Sequence, residues 1–190
     1  MTKNDSKIGK DIINLLMIAL AVGTRFIGFA GQTLNMKVYV VLTSSALLVG
    51  AIYILYGRHE SVDKYYRLFI VLFTIGSAAA IISPLLDVIK KSDSHGTVMV
   101  AVMFLISNII VFMCGLILSI GGNYHKKFAV ALAVIILLIN LVKLIRAIIV
   151  VGTASYIAPN AGNFIMSYII CSFVKYRYER IEKEISETTI

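Results

Sequence analysis

The chain has 190 residues, of which 59% are hydrophobic, and carries a formal net charge of +8. Its mean hydropathy is +0.90. Soluble domains hold about 45–50% apolar residues, so an ordinary soluble domain is excluded and a single membrane domain is what the length accommodates. The Lys and Arg residues stand at the edges of apolar runs, as charges facing lipid headgroups do. The bilayer is therefore the expected partner, and nucleic acid is not.

A helix crossing a bilayer needs about 20 apolar residues at a rise of about 1.5 Å each. Six segments meet that need: Ile12–Ala30, Val38–Tyr56, Leu68–Ile89, Val98–Ile120, Phe128–Val151 and Tyr156–Val174. The expected fold is all-α: a polytopic integral membrane protein with six transmembrane helices in three hairpins. The first span has the basic start and small residues of a signal peptide, but Arg25 interrupts it just before Gly28 and Ala30, so it is expected to be retained. Within it, "ALAVG" spaces Ala19 and Gly23 for close helix contact, as "ALLVGA" does Ala46 and Gly50 in the second.

The third span repeats that spacing in "GSAAA" (Gly76 and Ala80), then carries Ser83-Pro84, where a kink is expected to open a cavity near Asp87 or simply to end the helix. The fourth contains Asn108 and the fifth "INLVKLIRAIIVVG", with Lys143 and Arg146 one turn apart and Asn140 on the face of Lys143. "SYIAPNAGNF" breaks the start of the sixth, which is expected to begin near Pro159, a residue suited to a first turn. Residues 1–175 are the six-helix domain and 176–190 a short charged tail, expected to extend helix six with Glu179 and Lys183 paired across one turn.

Counting basic residues gives the orientation. Twelve fall before the first span, in the second and fourth connections and in the tail, against Lys37, Lys90 and Lys91 in the others. The bias predicts both termini in the cytoplasm, most simply in a cell membrane. Helical rise then sets depth. Arg25 stands about 22 Å beyond Lys10 and Lys143 about 24 Å beyond Lys127, with Arg146 about 4–5 Å further out and Asp87 about 30 Å beyond Arg67. Three cations and one carboxylate thus lie in the outer half. Ionisable groups at such depth face a bundle interior or a watery cavity by default, although Lys and Arg near a helix end also snorkel to headgroups.

Catalysis lacks its parts. His59, His95 and His125 are scattered in connections, Cys114 and Cys171 lie within apolar runs as packing residues, and Asp87 is the lone carboxylate in a span. Neither a metal cluster, a paired-acid centre nor a nucleophile elbow is present in the pattern, so no enzyme, metal or cofactor is expected. The leading expectation is binding, with or without transport, of a small anionic solute in an outward-facing cavity. Arg25, Lys143 and Arg146 would supply charge, Asn108 and Asn140 hydrogen bonds, and Asp87 a counter-charge or gate. A second reading is a sensor, immunity or assembly subunit that meets a membrane-protein partner, or a second copy, through helix faces and its tail. A proton-coupled carrier or channel is the third. The short bundle and the "IALAVGTRF" of its first helix resemble the substrate-binding membrane subunits of energy-coupling-factor vitamin importers. That resemblance covers architecture alone and transfers no residue.

Overall fold

The computed structural model describes residues 3–27, 29–56, 62–90, 95–120 and 126–188. They form six helices: α1 (Lys3–Phe26), α2 (Leu34–Tyr56), α3 (Val62–Lys90), α4 (His95–Ile120), α5 (Lys126–Arg146) and α6 (Ala154–Thr188). A short 3₁₀ turn at Phe29–Gly31 precedes α2, and a π turn at Ala147–Val151 prolongs α5. Arg58, Lys91, His59 and His125 lie outside the described residues, as do the side chains of His95 and Lys183.

Five helices are long and apolar enough to cross a membrane, over Leu34–Leu55, Lys64–Ile89, Val98–Ile120, Lys126–Val151 and Ala154–Glu179. Long side chains such as Leu48, Met99, Leu138 and Val142 are exposed on the outside of the bundle. Apolar surface spread so widely suits lipid and not water. The first helix differs from the other five, because Lys10, Asp11 and Arg25 leave it a shorter uninterrupted apolar run. It nonetheless packs between α2 and α6 with Ile18, Ala21 and Arg25 buried.

Two differences from the expected boundaries have local causes. α1 ends at Phe26 rather than Ala30, and the chain turns through Phe29–Gly31. α6 begins at Ala154, one turn earlier than expected, because the Thr153 carbonyl accepts from the amides of Tyr156 and Ile157 at 3.0 and 2.9 Å. Pro159 therefore stands in its second turn. Between α5 and α6, Gly152 adopts φ +67° and donates its amide to the Ala147 carbonyl at 3.0 Å, closing the π turn. Only glycine takes that conformation without steric cost.

Small residues set the close approaches. A Cβ on Gly76 would fall 2.7 Å from Thr43 Cγ2, and one on Gly50 would fall 2.8 Å from the Phe173 ring. These fix α2 against α3 and α6. Gly23 has nothing within 4 Å of its Cβ position, so the Ala19 and Gly23 pair makes no such seam. The hydroxyls of Thr43, Thr74, Ser77 and Ser107 donate to carbonyls one turn back within their own helices. Hydroxyls satisfied in this way can sit in apolar surroundings.

The ring of helices divides into two groups of three. α3 packs most extensively on α2 and α4, and α6 on α5 and α1, while the α1–α2 and α4–α5 seams are sparser. At the end of the bundle where α2 and α4 finish, the groups are joined by an aromatic cluster. Phe173 of α6 lies 5.1 Å from Tyr53 and 5.2 Å from Phe69 between ring centroids, and Tyr53 is 6.0 Å from Tyr176. The opposite end holds a cavity.

Candidate cavity and its polar belt

Helix ends converge at the cavity: the starts of α2, α4 and α6 and the last turns of α3 and α5. Its volume is about 760 Å³, within the about 300–1,000 Å³ usual for small-molecule sites. Met36, Pro84, Val100 and Phe104 give it apolar wall, and Tyr39, Asn108, Asn140 and Asn163 polar wall. Lys143 is the single cation, and Asp87 the single carboxylate, among the described residues that line it.

The α3 side of this wall follows from one proline. Pro84 continues the helix but has no amide hydrogen, so the Ala80 carbonyl one turn back loses its intrahelical donor. Asn108 of α4 replaces it, donating Nδ2 to Ala80 O at 2.9 Å. The other end of the same amide, Oδ1, accepts from Lys143 Nζ of α5. Pro84, Asn108 and Lys143 thus tie three helices together at one level. Lys126 pairs with Glu182 and Lys175 with Glu179, both on the tail side. The amide of Asn108 is the acceptor that Lys143 has found.

A second chain completes the level. Asn140, one turn before Lys143 on α5, donates to Ser167 Oγ at 2.7 Å and to Ile136 O at 3.1 Å. Ser167 in turn donates to the Asn163 carbonyl at 2.8 Å. The Asn163 side chain is the most heavily used acceptor: its Oδ1 receives Arg25 Nε at 3.1 Å, Arg25 Nη2 at 2.9 Å and Tyr39 OH at 2.8 Å. Arg25 is 1% exposed and its Nη1 finds no protein acceptor among the described residues. Gly162 makes this junction compact, since a Cβ there would fall 2.7 Å from Thr24 Oγ1 and 2.8 Å from Arg25 Cγ.

The six residues expected to form the site therefore divide. Asn108, Asn140, Lys143 and Asp87 line the cavity, with Asp87 half-buried one turn beyond Ser83. Arg25 is not a wall residue. It lies behind Asn163 and Tyr39, with its guanidinium carbon 5.9 Å from the Tyr39 ring. Arg146 is not a wall residue either, but sits 4.6 Å above the Phe104 ring, whose side chain is. Sequence reasoning missed Asn163, Tyr39, Gln32 and Phe104. Asn163 carries a readable signal, an amide beside a glycine inside an apolar span, but in sequence it reads first as part of a broken helix start.

In comparisons with known proteins, no family model, no curated protein and no solved structure matches this chain. The resemblance to vitamin-importer subunits gains no support from them. The residues of the cavity are what remain to argue function from.

Proposed function

We propose that this membrane protein binds a small anionic solute in the cavity, which opens to the outer face of a cell membrane, and that both termini lie in the cytoplasm. The observation that carries this reading is Lys143, a wall ammonium whose acceptor is a neutral amide. A half-buried cation with no carboxylate partner among the described residues is costly, and an anion entering the cavity would offset that cost. Snorkelling is less favoured for Lys143, because its Nζ turns inward to Asn108 rather than outward to the bundle surface. The reading is non-enzymatic. Lys143 is held to an amide, and the hydroxyl of Ser77 is engaged by the Phe73 carbonyl at 2.9 Å, so neither is poised against a reacting group.

The topology belongs to the same proposal. With α1 as a sixth crossing, both termini lie on one side, and the twelve-to-three bias of Lys and Arg puts that side inside. The burial of Ile18, Ala21 and Arg25 among the other helices supports the crossing, as does the outward exposure of Ile12, Ile13, Leu16 and Leu20. The aromatic cluster of Tyr53, Phe69 and Phe173 then closes the cytoplasmic end, as an outward-open binding state requires. Transport would need those rings to part.

A thermal-unfolding screen of the detergent-purified protein against anionic metabolites tests the reading, with Lys143→Met run beside the wild type. At least one anion should raise the wild-type midpoint and leave that of the variant unmoved. Equal shifts in both proteins, or no shift with any anion, would refute it.

A further inference from the structure

We infer that the solute is an amphipathic monocarboxylate: one carboxylate received by Lys143, and an apolar body laid along the α3–α4 wall. This rests on the anion-binding reading above and narrows it.

Charge limits the solute to a single negative group. Lys143 is the one cation among the described lining residues, and the other charged wall residue is a carboxylate, Asp87. Arg25 lies behind the wall with Nε and Nη2 on Asn163, and Arg146 is stacked on Phe104. A dianion would bring a charge that the wall does not match.

Hydrogen bonding limits it further. An ammonium has three N–H groups, and one of those on Lys143 is engaged by Asn108. Two remain, enough for the two oxygens of a carboxylate. Three donors of the belt are engaged within it: Asn140 Nδ2 by Ile136 and Ser167, Asn108 Nδ2 by Ala80, and Tyr39 OH by Asn163. A phosphate or sulfate is best held by arginine forks, and neither Arg25, held by Asn163, nor Arg146, stacked on Phe104, is a wall residue.

One stretch of the wall asks for carbon. Met36, Pro84, Val100 and Phe104 border the same space, and Arg146 at 4.6 Å fixes the ring of Phe104 by a cation–π contact. Acetate would fill only a small part of about 760 Å³. A carboxylate with an aromatic or branched body fills more of it and covers that apolar surface, which stabilises binding in proportion to the area removed from water.

The test is titration calorimetry of the purified wild-type protein with hydrocinnamate, its primary amide, phenylsuccinate, acetate and inorganic phosphate, together with Lys143→Met against hydrocinnamate. Hydrocinnamate should bind tightest, with the amide and acetate each at least tenfold weaker and the variant at least tenfold impaired. Should phenylsuccinate or phosphate bind as tightly as hydrocinnamate, the monocarboxylate assignment is overturned while anion binding stands. Should the amide match the acid, or no anion bind, the anion-binding reading falls as well. The wild-type ratio of acid to amide decides between these outcomes even if Lys143→Met fails to fold.

Discussion

Asn108 of α4 donates its side-chain amide to the carbonyl of Ala80 in α3, the acceptor that Pro84 deprives of its own helical partner. The contact turns a local defect of one helix into a joint between two, and the free end of the same amide then holds Lys143 of α5. A proline inside a membrane helix is tolerated when a neighbour satisfies the freed carbonyl. Here that neighbour also places Lys143, the one cation among the described residues of the cavity wall.

The joint makes Pro84 and Asn108 energetically coupled. Asn108→Leu should destabilise the fold by about 1–3 kcal/mol, because it strands the Ala80 carbonyl and removes the acceptor of Lys143. In a Pro84→Ala background the Ala80 carbonyl regains an amide donor, and the same change should cost about 0.5–1 kcal/mol less. Unfolding of the four proteins of this cycle in mixed micelles reads the coupling. Strict additivity would show that the Asn108 bond to Ala80 has no energetic weight.

At the other end of the belt, Asn163 carries more than either of its partners' neutral bonds. Tyr39→Phe removes one hydroxyl donor and should cost about 0.5–1.5 kcal/mol. Asn163→Leu leaves the Arg25 guanidinium without its amide acceptor, and hydrogen bonds to charged groups are worth about 1.5–3 kcal/mol. The second change should therefore be clearly the larger in a thermal or denaturant titration. Arg25→Lys should not restore the wild-type value in that assay, because a single ammonium cannot reproduce the paired Nε and Nη2 contacts.

Two glycines of similar appearance in the sequence should respond in opposite ways. Gly162→Ala drives a methyl to within 3.0 Å of the Ala21 carbonyl and closer still to Thr24 and Arg25. Overpacking of this kind costs about 1–3 kcal/mol. Gly23→Ala enters open space on α1 and should be neutral or stabilising by up to about 1 kcal/mol, the helix propensity gained. Melting temperatures of the two single variants check the contrast.

The contrast also shows what was legible in advance. Apolar runs of about 20 residues place helices along a chain without any knowledge of their neighbours, and five of them appear as spans close to their expected limits. The start of α6 differs from expectation because Pro159 reads as a first-turn residue, whereas the Thr153 carbonyl accepts from Tyr156 and Ile157 and draws the helix back to Ala154. The Ala19 and Gly23 pair has the spacing of a packing motif, but the rotation of α1 in the bundle turns Gly23 outward. Spacing reports a face and not what that face meets.

The site divides along the same line. Lys143, Asn108, Asn140 and Asp87 stood out as polar groups at membrane depth, and depth follows from the helical rise alone. Arg25 and Arg146 have similar depth, but one is turned towards Asn163 and the other towards Phe104. That choice depends on side chains contributed by α4 and α6, which periodicity within one helix does not specify. Asn163 itself was obscured by Pro159 and Gly162 beside it, residues that read as backbone signals before they read as the setting of a buried acceptor.

The most direct test of the central claim is the affinity of a monocarboxylate such as hydrocinnamate for three proteins: wild type, Lys143→Met and Lys37→Met. Lys37 lies at the same end of the bundle but not on the cavity wall, with its Nζ 5.8 Å from the Phe29 ring. Removing it takes away one positive charge without touching the proposed site. The account predicts that Lys143→Met lowers affinity at least tenfold and that Lys37→Met keeps it within about threefold. Equal losses in the two variants would mean that the carboxylate senses only the general charge of this face, and the cavity would not be its site.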